Sequence, residues 1–166
     1  MSWKKAVNLT IRKATLQDCV AMRNLINTYA DAGLMLHKNV NQLAAILQQY
    51  AVAIVENMLV GTCGYKIWPL EGIELISSAV LPEYHGRGIG KMLNLFCINE
   101  ARNMGFKNFF VLTLQPGFYA KLGFREIPME SLSSKVYSDC VYCKKNHTDT
   151  PGSLECDEIA MGLIIE

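Results

Sequence analysis

The sequence predicts an α+β domain on a mixed sheet. Three observations carry that expectation. Short runs of apolar and β-branched residues recur along the chain, two of them meeting at the tight connection Glu56-Asn57-Met58. Helix-period segments lie on either side of that hairpin. A glycine-rich loop then joins a strand directly to a helix between Val80 and Lys91. The predicted order is β-α-α-β-β-β-α-β-α-β-β.

Each element has a local reason. Residues 9–13 alternate as a short strand. Thr15 and Asp18 have the spacing of a helix N-terminus. That helix is expected to run to about Ala32, burying Leu16, Cys19, Val20, Ile26 and Tyr29, and to stop at Gly33. A second helix is read from Leu43, Ile46, Leu47 and Tyr50, which follow a helical period. Residues 51–55 and 59–67 form the hairpin, residues 68–72 a loop, and residues 73–80 the next strand. A helix follows the glycine loop to about Met104, with Ile89, Leu93, Phe96 and Cys97 inward and Gly105 as its stop. Residues 109–113 are a buried strand, and residues 116–122 a short helix opened by Pro116. Gly123-Phe124 turns into a strand near Glu126-Ile127, and residues 159–165 are the last strand.

Composition narrows the function. The chain has 166 residues, 51% of them hydrophobic, and a formal net charge of +1. One domain over residues 1–166 is expected at this length. A chain this size buries about 68–70% of its unfolded surface, so it needs no metal or disulfide to fold. The charge balance leaves neither the basic footprint of a nucleic-acid binder nor the bias of a disordered chain. No uncharged apolar run approaches the roughly 18 residues of a membrane span. The start, Met1-Ser2-Trp3-Lys4-Lys5, lacks the apolar stretch of a signal peptide, so a cytoplasmic protein with no membrane partner is expected.

The glycine loop, His85-Gly86-Arg87-Gly88-Ile89-Gly90-Lys91, carries the most chemistry. Glycines let an anion approach the main chain, and a helix N-terminus offers it unpaired N–H groups. Arg87 and Lys91 can neutralise charge. A nucleotide P-loop is excluded, because Met92 follows Gly90-Lys91 where Ser or Thr is needed. A dinucleotide fingerprint is excluded because the loop follows a hairpin rather than opening a βαβ unit.

These residues resemble the GNAT superfamily of acetyl-CoA-dependent N-acetyltransferases. The family's pyrophosphate motif, Gln/Arg-x-x-Gly-x-Gly/Ala, maps onto residues 85–90, with His85 in place of the usual first residue. A second landmark is Tyr119-Ala120-Lys121-Leu122-Gly123-Phe124. The resemblance runs from Ile11 to Ile165 and implies a mostly antiparallel central sheet with helices on both faces. Within the superfamily the chain is most similar to the N-acetylglutamate synthase type. Asn27-Thr28-Tyr29, Leu34-Met35-Leu36, Lys38, residues 109–113, Gln115 and residues 123–128 carry that similarity. A short, stand-alone form without the kinase-like domain of those synthases is expected. The acceptor implied is a small-molecule amine, L-glutamate above all, with arginine biosynthesis as the pathway; a homodimer is left open.

Aminolysis of a thioester needs a base for the amine, donors for the developing oxyanion, and a proton for the leaving thiolate. Glu74, flanked by Ile73 and Leu75, is the candidate base, since a carboxylate in apolar surroundings gains basicity. The resemblance implies the main-chain N–H groups near Ala79 and Val80 as oxyanion donors and Tyr119 as proton donor to the CoA sulfur. Residues 85–91 (His85, Gly86, Arg87, Gly88, Ile89, Gly90, Lys91) are expected to bind the cofactor. Arg12, Lys38 and Lys66 could meet substrate carboxylates, and Thr113 and Gln115 could hydrogen-bond the acceptor.

Cys19, Cys63 and Cys97 read as small buried hydrophobes. Cys140, Cys143 and Cys156, with His147, fall in an expected loop at about residues 138–157. Free thiols, a structural zinc and a disulfide all stay open there, because Cys-x-x-Cys is the usual first half of a zinc site but the later intervals fit no standard finger. Two other functions also stay open. One is acetyl transfer to another amine, such as a polyamine, an antibiotic or a peptide terminus. The other is a non-catalytic acyl-CoA sensor.

Overall fold

The structure, a computed structural model, describes residues 8–146 and 155–166. The elements run β1 (Leu9–Lys13), α1 (Cys19–Asp31), α2 (Val40–Ala45), β2 (Tyr50–Val55), β3 (Met58–Trp68), β4 (Gly72–Val80), α3 (Ile89–Asn103), β5 (Asn108–Thr113), α4 (Pro116–Ala120), β6 (Arg125–Glu126), α5 (Ser133–Ser138) and β7 (Ile159–Ile164). The strands form a seven-stranded sheet in the order β1-β2-β3-β4-β5-β7-β6. The β1·β2, β2·β3, β5·β7 and β6·β7 pairs are antiparallel, and β4·β5 is parallel. Within the described residues the chain packs as two compact units. One comprises residues 8–65 and Leu75–Ala101, the other Lys66–Glu74 and residues 102–146 and 155–166.

In the first unit the β2–β3 hairpin closes where expected. Glu56 and Asn57 both take the left-handed conformation (φ 48° and 66°), which matches the turn to the twist of the flanking strands. Cys19, Met22, Ile26, Leu43, Tyr50 and Val52 make the core. Two expectations need correction. Residues Leu16–Asp18 form a 3-10 turn before α1, and its tighter winding breaks the helical phase. Leu16, on that turn, is therefore 68% exposed; Val20, within α1, is 52% exposed because it lies off the face that Cys19, Met22 and Ile26 share, and Met22 and Leu25 take inner positions. The second helix does not reach Tyr50. Ile46 (φ −124°, ψ 31°) leaves the helical region, and one 3-10 turn leads into β2. Tyr50 instead opens β2, its ring lying over Gly64, where an added Cβ would sit 2.5 Å away.

In the second unit β5 pairs β4 through Ile73↔Phe109 and Glu74↔Phe110, and pairs β7 along its whole length. Trp68, Phe110, Leu132 and Ala160 form its apolar cluster. The expected order lacked α5, which lies between β6 and β7 with a 3-10 turn on each side. The Cys-containing segment thus begins as helix and turn rather than loop. Among the described residues no helix is long and apolar enough to cross a membrane.

Candidate active site

In the first unit the site is built where β4 ends. Ser77 sits inside the strand with φ 51°, a conformation that costs a non-glycine residue about 1–2 kcal/mol. Its hydroxyl lies 3.1 Å from the Tyr50 hydroxyl. The kink turns the strand just before Ser78, Ala79 and Val80. Beyond it, the Leu81 N–H donates to the Val60 carbonyl at 2.8 Å. One 3-10 turn follows, and then Gly86 and Gly88 adopt φ 73° and 77°. A Cβ at either would meet nothing within 4 Å, so backbone conformation, not crowding, calls for glycine there.

Gly88 accepts from the Met92 N–H at 3.0 Å and so caps α3. The N–H groups of the first turn, Ile89, Gly90 and Lys91, have no intrahelical acceptor, and the helix dipole adds partial positive charge. Ile89 is buried, so any part it takes in binding is played by its main chain. Arg87 stacks on the Tyr84 ring at 4.6 Å and donates to the Glu83 carbonyl at 2.6 Å. Lys91 is exposed. The loop thus combines open main chain, a helix N-terminus and two cations, which suits a phosphate or pyrophosphate.

Two residues of this region escaped the sequence reading. Asn94 is fully buried in α3; its amide donates to Ser78 Oγ at 2.9 Å and to the Gly90 carbonyl at 2.8 Å. It ties the kinked strand to the first turn of the helix. A polar residue between Leu93 and Cys97 on the inward face was the signal. Tyr29, expected as a buried residue of the first helix and quoted for its resemblance but given no part in the site, donates its hydroxyl to the Val80 carbonyl at 2.5 Å and lies 2.9 Å from His85 Nε2. Burial, and then the nearby Glu83 charge, push the Tyr29 phenol above its usual range, which keeps it a donor. His85 Nε2 lies 2.8 Å from the same carbonyl, so its ring is folded back onto β4.

Two of the expected substrate cations also lie in this unit. The Arg12 guanidinium bonds both Asp18 oxygens, at 2.7 and 3.1 Å, and is thereby engaged within the fold. Lys38 exchanges two main-chain bonds of 2.9 Å with the Asn27 side chain, which pins residue 38 to α1.

In the second unit Glu74 is buried, but not in purely apolar surroundings. Lys135 Nζ lies 2.8 Å from its Oε1, and the Trp68 indole N–H donates to Oε2 at 2.9 Å. Lys135, on the unforeseen α5, is itself buried. Burial alone would pull its pKa down, but attraction to Glu74 outweighs that and leaves it above the usual lysine value. Lys66 lies 4.2 Å above the Trp68 ring and 3.0 Å from Asp139, so this expected substrate cation too has an acidic partner. Nothing in the sequence of Ser133–Ser138 announced a buried lysine.

Tyr119 is buried on α4, its ring edge-on to Phe118 and Phe124 at centroid distances of 5.0 and 5.5 Å. Thr113 Oγ1 accepts from the Gln115 N–H at 2.8 Å, shaping the turn into α4 and leaving Gln115 exposed. The cysteines Cys140, Cys143 and Cys156 are free thiols. Burial, partly offset by Lys135, pushes the Cys140 thiol up to about 11, which keeps it protonated and a poor metal ligand or nucleophile. No group of three metal-binding side chains comes together among the described residues, and His147 lies outside them.

Comparison with known proteins agrees with this geometry. Residues 47–126 match the acetyltransferase (GNAT) domain family. An uncharacterized N-acetyltransferase of Chlorobaculum tepidum is 31% identical over 156 residues, which cover 94% of this chain and 96% of that protein. An amino-acid acetyltransferase of Mycobacterium tuberculosis is 31% identical over 134 residues, 78% of this chain and 75% of that protein. Among solved structures, a Mycobacterium tuberculosis protein in complex with CoA and a second ligand superposes with a TM-score of 0.76 at 27% identity, covering 95% of this chain and 99% of that one. N-acetylglutamate synthase of Neisseria gonorrhoeae shares the fold, with a TM-score of 0.77 at 18% identity; the match covers 98% of this chain and 36% of that longer one.

Proposed function

This chain belongs to the GNAT acetyltransferase family, and within it we propose that it transfers the acetyl group of acetyl-CoA to the α-amine of an amino acid, with L-glutamate the favoured acceptor. The observation that carries the cofactor reading is the loop at Gly86 and Gly88, two left-handed glycines opening onto the N-terminus of α3. The amino-acid acceptor is supported by the amino-acid acetyltransferase relative. Glutamate itself and the arginine pathway rest on the resemblance to the synthases.

In the proposed reaction the neutral amine attacks the thioester carbonyl, a C–N bond forms and the C–S bond breaks. Main-chain N–H groups at Ala79 and Val80 stabilise the oxyanion, aimed by the Ser77 kink. Glu74, whose carboxylate Lys135 holds at 2.8 Å, takes the ammonium proton directly or through water. Tyr119 returns a proton to the CoA thiolate. Residues 1–166 act as one acetyltransferase domain in this reading, working in the cytoplasm.

A second reading has its own observation. Arg12 and Lys66 each already face a carboxylate of the chain, which leaves less charge for a dicarboxylate acceptor and favours another amine. An acceptor screen that follows CoA release separates the two. Turnover on glutamate supports the first reading. Turnover on polyamines or peptides with none on glutamate overturns it, and CoA binding without turnover on any amine would point to a sensor.

A further inference from the structure

The Val80–Leu81 peptide is held from both sides. Its N–H goes to Val60 on β3 at 2.8 Å. The structure contains no cis peptide bond among the described residues, so the Val80 carbonyl points the opposite way, off the β3 edge. There it takes the Tyr29 hydroxyl at 2.5 Å and His85 Nε2 at 2.8 Å. Two donors fill the two lone pairs of one oxygen.

The chemistry fixes the tautomer. A carbonyl can only accept, so His85 Nε2 must carry a proton. The single Tyr29 proton is committed to Val80, so the phenol oxygen, 2.9 Å from Nε2, can only share the one Nε2–H with the carbonyl, as the second acceptor of a three-centre bond. The three groups close a ring of hydrogen bonds joining α1, the end of β4 and the entrance of the glycine loop.

The loop needs such an anchor. Gly86 and Gly88 have no side chains to hold it, and a Cβ there would touch nothing within 4 Å. His85 is the residue immediately before Gly86. We propose that Tyr29 and His85 are positioning residues for acetyl-CoA, which hold the glycine loop in its binding conformation through one shared acceptor, the Val80 carbonyl. The proposal rests on the acetyl-CoA reading of this loop. It also accounts for a histidine where the family motif has glutamine or arginine, since all three can donate an N–H at this point. A loop ordered in advance loses less entropy when the ligand binds.

Three measurements test it, two of them without ligand. Nitrogen-15 NMR of His85 should show the Nε2–H tautomer in the neutral ring; an Nδ1–H tautomer overturns the proposal. Hydrogen exchange at the amides of residues 86–89 should quicken in H85A and Y29F relative to the parent. Calorimetry with CoA should show each variant weakened about tenfold, the loss of one hydrogen bond. H85Q, whose amide N–H can reach the same carbonyl, should recover most of the affinity. Affinity in H85A equal to or tighter than the parent, or no recovery in H85Q, overturns the proposal. A parent that fails to bind CoA would instead defeat the acetyl-CoA reading, while the tautomer and the exchange rates still decide the anchor.

Discussion

Lys135 Nζ and Glu74 Oε1 lie 2.8 Å apart, both on buried side chains. Removing one partner of such a pair leaves an uncompensated buried charge or an idle donor, at a cost of about 3–5 kcal/mol. K135M should therefore destabilise by that order in urea unfolding, and the neutral pair E74Q/K135M should recover part of it. Lys135 has a raised pKa in the fold, so its contribution is complete below the ordinary lysine value and is lost only as pH rises through the higher folded value. The K135M deficit should be constant from neutral pH up to strongly alkaline conditions.

Glu74→Gln keeps the shape and the Trp68 contact but removes the proton acceptor. If Glu74 is the base, kcat should fall by about 10²–10⁴-fold with CoA affinity retained. An unchanged kcat in a folded variant would make the Glu74–Lys135 pair purely structural.

Gly88→Ala and Gly88→Asp separate strain from charge. The Cβ of either meets open space but must accept φ 77°, costing about 1–2 kcal/mol. The aspartate also places a carboxylate on the anion site. CoA binding measured by calorimetry should weaken modestly in Gly88→Ala, and by a further 2–5 kcal/mol or so in Gly88→Asp. Parental affinity in Gly88→Asp would place the pyrophosphate elsewhere.

What could be read from the chain follows from how local the cause is. Glu56-Asn57 marks its hairpin because the turn itself needs left-handed residues. The glycine loop is legible for the same reason. The Ser77 kink is not, since no glycine marks its positive φ. Lys135 was invisible because its burial depends on Glu74 and Trp68, far away in sequence, and the six residues of α5 are too few to carry a period. Leu16 was misplaced because it lies on a 3-10 turn, outside the α-helical period that assigned it inward, whereas Cys19 and Ile26 within α1 kept their expected burial.

Asp18 sets an acid limit. Burial alone would raise its pKa, but bonds from Arg12 and from the Thr15 N–H and hydroxyl outweigh that and hold it below the usual value. A depressed carboxylate contributes stability that is present above its unfolded pKa and lost as pH falls through the folded value. D18N should cost about 1–3 kcal/mol at neutral pH, and parent and variant should converge in acid, below the ordinary aspartate range. Urea titrations at a series of acidic pH values give the comparison; a gap that persists below both pKa values would mean that packing, not charge, is responsible.

Tyr119→Phe leaves the ring against Phe118 and Phe124 and removes only the hydroxyl. As the acid for the leaving thiolate, that hydroxyl is worth about 10²–10⁴ in turnover. Steady-state kinetics should show kcat lowered in that range and KM for acetyl-CoA little moved. An unchanged kcat would leave Tyr119 as a core aromatic, with water protonating the thiolate.

The last test concerns the thiols. Cys140 is buried and its pKa is raised to about 11, so little thiolate exists near neutral pH to attack a thioester. Cys156 is shifted the same way, first by burial and then by the neighbouring acidic residues. Transfer through an acetyl-cysteine would need one of these groups deprotonated, whereas direct attack by the amine does not. The C140S/C143S/C156S variant should therefore keep kcat within about twofold, and any loss should appear in thermal stability, because Cys140 is packed in the interior. Loss of turnover in a variant that stays folded and binds CoA, with acetyl label trapped on the parent protein by rapid acid quench, would establish a covalent intermediate and displace the direct mechanism.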